Sequence, residues 1–436
     1  MGEHPGRGPP VGTPLAGNRW DLIAPPARHD RSVTVVLTHF EQPAQLARTL
    51  LALRRQTQPP VQVVVADDGS RTPPSVPDGV EVVRQEDRGF RAAAARNLGA
   101  RRAHGELLVF LDADTTPEPA FVEHLTALPA CLPELLAVGR RRHADLDGLS
   151  AEHWVEQHGP GRALPEPRWL ADAYRRSHDL RHADEGSYRF VISAAMACSR
   201  WWFEELGGFD ETFTAYGGED WELAHRSWLG GGLVAHVPGA VTWHDGPDAS
   251  ARPRPEPRDG EDPATLETAA IAARVGAPGA AYRGLLVGPV DLVVTAAADL
   301  GRRELSISLD GLLAAAPRSR VQLDPRRASW FAEDPRITTD DVLAAGTARL
   351  HLHLREALVG HPGAWAGVLR GLDGQADVAT LDVTSQGRDI AALHDLRLHR
   401  RAARWGRNDL LVRSSLASAL APAGGVTLQA WVGGWA

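Results

Sequence analysis

The sequence contains no lysine: all 47 basic residues among its 436 are arginine, set against 55 acidic ones for a net charge of -8. Ala, Gly, Arg and Pro dominate as a GC-rich coding bias would make them, so arginine abundance alone carries no functional message. The acidic balance argues against nucleic acid as the main partner, because a phosphate backbone calls for a basic surface. Cysteine is almost absent. Cys131 and Cys198 are too few for a disulfide framework or a Cys-rich zinc site. The opening Met1-Gly-Glu-His lacks the basic and apolar regions of a signal peptide. No run approaches the ~20 apolar residues that cross a bilayer. The expectation is a soluble, cytoplasmic protein with no transmembrane segment. Hydrophobic residues at 43% and charged residues at 23% are an ordinary globular balance, which excludes a disordered or fibrous chain. The length accommodates two domains of ~100–200 residues.

Residues 1–31, rich in Gly, Pro and Arg without apolar periodicity, read as a disordered leader. From Ser32 the pattern changes. Val33–Leu37 is a β-branched run of the buried parallel type, Leu46–Leu53 has helical spacing, and Val61–Val65 is a second strand. Glu81–Val83, a small-residue helix from Ala92 to Ala103, and Leu107–Leu111 continue the alternation. Such alternation predicts an open α/β sheet, whose ligands sit beyond the carboxyl ends of the strands. Residues 32–246 form this domain, a Pro- and charge-rich linker follows over 247–264, and a second α/β domain runs over 265–436. Its Val290–Val294, the helix ending near Leu312 and Val321–Asp324 echo the layout of residues 33–68, with Asp377–Asp382 matched to Glu106–Asp112. A degenerate internal duplication and generic α/β patterning both account for the echo.

Four constellations carry chemistry. Asp67-Asp68-Gly69-Ser70 follows the second strand, where its carboxylates can accept bonds from a ligand over the sheet edge; a solvated turn is the plain alternative. Asp112-Ala113-Asp114 ends the fourth strand. Residues i and i+2 there share a face, and two close carboxylates ask for a neutralising cation that keeps open positions for a diphosphate. Gly207-Gly-Phe-Asp and Tyr216-Gly-Gly-Glu219-Asp220-Trp221 put glycine pairs ahead of a helix start, where Asp alone would be a cap but the Gly-rich approach and flanking Trp favour a substrate-binding turn. His244, after a short strand, is a candidate imidazole ligand for the ion held by Asp114. A shell of this kind suits Mn²⁺ at least as well as Mg²⁺.

In this order the motifs, together with the Gln85-Glu-Asp-Arg-Gly-Phe…Arg96-Asn97 segment, resemble the GT-A glycosyltransferases of family 2, of the chondroitin-synthase and polypeptide GalNAc-transferase type. The resemblance covers about residues 32–247. It implies a Rossmann-like nucleotide-diphospho-sugar transferase domain, followed by a second α/β domain that is a candidate degenerate GT-A duplicate. Thr38 and Glu41 would line the nucleotide pocket, Glu41 standing where the family usually has Asn. Asp67 and Asp68 would contact base and ribose, Arg96 and Asn97 shape the donor pocket, and Asp112 approach ribose and sugar. Asp114 and His244 would hold the metal, Glu219 touch the acceptor and Asp220 act as base. Ser193-Ala-Ala-Met196 replaces a usual Gly-Asn pair near the donor sugar.

The implied reaction moves a hexosyl or N-acetylhexosaminyl unit, from a UDP-sugar by the family's habit, to a hydroxyl of a glycan, peptide or small metabolite with inversion. Trp202 and Trp221 are candidates to stack on sugar rings, with core packing the other use of the same side chains. Two further classes stand beside this one. A sugar nucleotidyltransferase would want a Gly-rich basic loop after the first strand, and Thr38-His-Phe-Glu-Gln-Pro is no such loop. A non-catalytic nucleotide-sugar or glycan-binding protein derived from this fold is the third class.

Overall fold

The computed structural model describes residues 9–248 and 262–433. The chain folds as two units. One comprises the described residues up to Trp228 with Gly232–Ala270, and the other Leu229–Gly231 with the residues from Ile271 onward.

In the first unit the strands are β1 (Val33–His39), β2 (Gln62–Asp67), β3 (Val80–Arg84), β4 (Leu107–Asp112), β5 (Thr115–Pro117), β6 (Leu135–Ala144), β7 (Ala163–Leu164), β8 (Ala195–Ser199) and β9 (Leu233–Asp245). They form one mixed sheet in the order β3-β2-β1-β4-β8-β6-β9-β5, with β7 on β6. The inner strands are apolar on both faces because helices cover both sides. Pro43–Leu53 and Phe121–Cys131 bury leucines against one face. Ala92–Ala100 lies on the other so closely that a Cβ on Gly99 would sit 2.4 Å from Val36 Cγ1.

Register brings the functional ends together. β1 is parallel to β2 and β4, with Thr38 opposite Ala66 on one side and Asp112 on the other. The helix that follows β1 lies on one face of the sheet and the helix that precedes β4 on the other, which opens a crevice at this edge. β5 pairs antiparallel with β9, Thr115 opposite His244, and the Asp245 N–H donates to the Asp114 carbonyl.

The second unit contains β10 (Leu292–Ala296), β11 (Arg320–Gln322), β12 (Ile337–Thr338), β13 (Leu350–Leu354), β14 (Leu358–Val359), β15 (Val378–Ser385), β16 (Arg388–Asp395), β17 (Val412–Ala417) and β18 (Ala421–Pro422). Its sheet runs β12-β11-β10-β13-β16-β15-β17. Four parallel strands come first, β16 is antiparallel to both neighbours, and β17 is parallel to β15. Taken by rank in the chain, this is the order and the set of directions of β3-β2-β1-β4-β8-β6-β9 in the first unit. The second unit therefore repeats the sheet topology of the first. The topological counterpart of β4 in the second unit is β13, however, not the Asp377–Asp382 segment: Asp382 lies on β15 and is paired with Arg355 and Arg413.

Two expectations change. Residues 1–8 of the expected leader lie outside the described residues, but from residue 9 the chain packs on the domain instead of being disordered. Leu15 is buried in the core, and the Asn18 amide donates to the Leu180 and Val234 carbonyls while accepting from Val234 N–H. Three such bonds and an apolar anchor offset the ordering entropy that composition alone left uncompensated. Residues 249–261 of the expected linker lie outside the described residues, and its last two positions already belong to the helix Pro263–Ala272.

Candidate active site

A cavity of about 550 Å³ opens where β1 and β4 end, lined among others by Thr38, Asp68, Arg96, Asp112, Asp114, Glu219, Asp220 and Trp221. Eight residues singled out in the sequence thus meet in one place. His244 stands directly behind them, its Nε2 3.6 Å from Asp114 Oδ2.

Arg96, on the small-residue helix, is buried and joins both halves of the cavity. Its guanidinium donates to Asp112 Oδ1 at 2.9 Å and to Glu219 Oε1 at 2.8 Å. Burial opposes its charge, but Asp112 and then Glu219 outweigh that and hold it protonated. Glu219 has a side chain only 7% exposed, and its second oxygen, Oε2, is buried without a hydrogen-bond partner among the described residues.

Asp220 opens the helix Glu219–Leu229 and accepts from Ser193 N–H (3.3 Å) and Trp221 N–H (2.9 Å). Its pKa is pushed up to about 7, first by burial and next by the negative charge of Glu219; Arg96 and the two backbone donors oppose the rise. A carboxyl that exchanges its proton near neutrality, in a cavity, is suited to general-base work. Asp68 is also raised by burial, against hydrogen bonds from Gln85 and the Arg91 N–H.

The residues fit a divalent cation at Asp114 and His244. His244 Nδ1 lies 3.1 Å from the Gly246 carbonyl, a bond that fixes the proton there and leaves Nε2 directed to Asp114. Two donors each ~2.1 Å from one ion stand roughly 3–3.5 Å apart, close to the separation seen. Among the described residues no group of three or more His, Cys, Asp or Glu side chains gathers as a metal site. A two-residue anchorage leaves the remaining positions to substrate oxygens.

Four expected site residues do other work. Asp67 is fully buried and occupied by His39 Nδ1, Arg84 and the Ser70 N–H and hydroxyl, so it ties the strand ends together. Asn97 clamps Phe209 through both backbone groups and thereby fixes the Gly207-Gly-Phe-Asp turn beside the core, where Phe209 packs on Phe110 and Phe203. Glu41 is exposed, holds positive φ and accepts from Arg71 N–H, away from the cavity wall. Trp202 is 2% exposed with its indole N–H on Ser227, a core residue and not a sugar platform.

Other residues supply what the sequence reading missed. Gln42 donates to Asp114 Oδ2. Trp169, 43% exposed, and Tyr216, 59% exposed, stand at the mouth with Phe90, whose ring meets Tyr216 edge-on at 5.6 Å. Glu267 reaches the cavity from the helix beyond the linker region, its Oε1 so near Gly217 that a Cβ there would come within 2.5 Å. Gly217 leaves room for that approach, and both it and Gly218 hold φ near +95°, where glycine is favoured.

Residues 34–205 match the family Glycosyl transferase family 2, and residues 181–243 match the family described as N-terminal domain of galactosyltransferase. A hyaluronan synthase of Pasteurella multocida is 28% identical over 246 residues, 51% of this chain and 25% of the relative. A validoxylamine A glucosyltransferase of Streptomyces hygroscopicus subsp. limoneus is 33% identical over 223 residues, 45% of this chain and 48% of the relative. The matches thus span between a quarter and a half of these relatives' lengths. Among solved structures, GalNAc-T7 with UDP, GalNAc and Mn²⁺ superposes with a TM-score of 0.38 at 19% identity, over 56% of this chain and 48% of that one. No helix among the described residues is long and apolar enough to cross a membrane.

Proposed function

We propose, from the match of residues 34–205 to glycosyl transferase family 2, that the chain is a metal-dependent, inverting glycosyltransferase using a nucleoside-diphosphate sugar, with UDP as the nucleotide. The observation that carries this reading is Asp220: a half-buried carboxyl whose pKa is raised to about 7, lining the same cavity as Asp112 and Asp114.

The residues divide the work by position. Thr38 and Asp68, at the ends of β1 and β2, offer hydroxyl and carboxylate acceptors to a nucleoside. Arg96 fixes Asp112 at the switch point toward the ribose and sugar. Asp114 and His244 would hold a divalent cation, which when bound stabilises the charge developing on the leaving diphosphate. Asp220 takes the proton of the acceptor hydroxyl as its oxygen forms a bond to the anomeric carbon and the bond from that carbon to the diphosphate oxygen breaks. Backbone donors from Ser193 and Trp221 keep the carboxylate aimed while it waits for the acceptor. Attack from the side opposite the leaving group inverts the anomeric centre.

The test is a titration of UDP-, GDP- and dTDP-sugars with Mn²⁺ and again with EDTA, followed by a transfer assay with Asp220→Asn. The reading expects metal-dependent binding of one nucleotide, lost in Asp114→Ala. It also expects Asp220→Asn to retain that binding while transfer falls ~10²–10⁴-fold. Undiminished transfer in Asp220→Asn would remove the base assignment, and absence of nucleotide binding by folded protein would remove the transferase reading.

A further inference from the structure

The cavity holds more negative charge than a donor site needs. Seven carboxylates line it against two arginines. Arg96 is committed to Asp112 and Glu219, and Arg141 lies 3.6 Å from Asp248. An incoming diphosphate adds negative charge, which a cation at Asp114 would balance. What remains lies on the other side of the cavity, around the helix start at Glu219.

Three carboxylates converge there. Glu219 lines the cavity, and its Oε2 is buried with no hydrogen-bond partner among the described residues. Glu267 presses its carboxylate onto Gly217 and, among the described residues, takes part in no hydrogen bond or ion pair. Its pKa is raised, by burial first and by Glu219 next, so the two carboxylates feel one another. Asp220 is the third. An unpartnered buried carboxylate oxygen is destabilising unless a ligand donates to it. A plain hydroxyl would satisfy one oxygen but would leave the mutual repulsion in place. A positive charge relieves both. The mouth of the same region is aromatic, with Trp169, Tyr216 and Trp221 on the wall, and ring faces of this kind attract cations as well as sugars.

Resting on the transferase reading above, we propose that the acceptor is a polyhydroxylated compound bearing a basic amine, of the amino-sugar or aminocyclitol class, whose ammonium group is held by Glu267 and Glu219 Oε2 while Asp220 serves the neighbouring hydroxyl. Glu267 thereby selects the acceptor. It is contributed from outside the residues that match the family, so the preference belongs to this chain's own helix Pro263–Ala272.

The experiment uses the full chain saturated with Mn²⁺ and the nucleoside diphosphate it binds, titrated with three probes: 2-deoxystreptamine, its N,N′-diacetyl derivative and myo-inositol. The expected result is that the free diamine binds at least tenfold more tightly than either uncharged probe. That advantage is lost in Glu267→Gln and again in Glu267→Ala, with nucleotide titration of the same samples as the check on folding. Equal or tighter binding of an uncharged probe, no binding of any probe, or an unchanged preference in both variants overturns the proposal while leaving the donor reading intact. If no nucleoside diphosphate binds, the transferase reading fails first and the acceptor proposal with it.

Discussion

Asp220 must be charged to act as a base, and its surroundings disfavour the charge. A carboxyl whose folded pKa is raised binds its proton more tightly than the unfolded chain does, so its contribution to stability is intact below about pH 4 and is lost as pH rises through about 7. Two consequences follow from the same shift. Turnover should climb with pH on an acid limb near 7, since only the ionised form accepts a proton. Asp220→Asn, which carries no charge, should unfold at the same temperature as the wild type near pH 4 and at a higher one at pH 8, in thermal melts at matched ionic strength. Equal melting temperatures at pH 8 would show that the site stores no such penalty. Arg96 is the counterpart. Removing its side chain leaves Asp112 and Glu219 facing each other with no cation between them, so Arg96→Met should cost about 3–5 kcal/mol.

At the scale of elements, the helix Ala92–Ala100 shows why small residues there carry meaning. Its Ala and Gly side let the helix axis approach β1 until Gly99 meets Val36, whose branched side chain has little freedom to yield. Gly99→Ala, which in an open helix would stabilise, should here cost about 1–3 kcal/mol as overpacking, read as a lower urea midpoint at unchanged slope. This helix and the strand runs Val33–Leu37, Val61–Val65 and Leu107–Leu111 were legible in the sequence because buried parallel strands are almost continuously apolar, and the structure extends them to Val33–His39, Gln62–Asp67 and Leu107–Asp112. The same pattern singled out Asp112 and Asp114, at and just beyond the end of such a run, whereas Asp220 was marked by the glycine pair ahead of its helix. It could not tell Asp67 from Asp68, since adjacent residues on an extended chain point to opposite sides and only tertiary neighbours decide which side holds ligand. Trp202 and Trp169 differ in the same way: nothing local separates an indole that packs on Ser227 from one left at a cavity mouth. Glu267 had no local signal, because it reaches the site from far along the chain.

For the whole molecule, the repeated sheet raises the question of whether the chain has one nucleotide site or two. In the first unit the last paired residues of β1 and β4 are Thr38 and Asp112; in the second, β10 and β13 end on Ala296 and Leu354. Apolar residues stand where acceptors are needed. The Arg327 guanidinium also donates to the Ala296 and Ala297 carbonyls, at the end of β10. Nucleotide titration should accordingly give one site per chain, and a stoichiometry of two would restore function to the repeat. The second sheet has a different sensitivity. His351, His353 and His394 from its strands, with His399, gather around Thr295 and Thr380. Burial first, then neighbouring imidazoles, pushes His351 and His394 down to about 4, and burial lowers His353 and His399 as well. Depressed histidines contribute stability that is present above their unfolded value near 6.5 and drains away as pH falls toward 4, because the unfolded chain takes up protons that the fold refuses. Amide exchange followed from pH 7 to about pH 4 should therefore lose protection first in Leu350–Leu354 and Arg388–Asp395, with His351→Asn delaying the loss. His143 in the first unit is also pushed down to about 4, by burial above all, but it adds a single such group to β6, so β1 and β4 should hold their protection longer. Earlier loss in β1 and β4 would mean that the histidine cluster does not set the acid limit of this molecule.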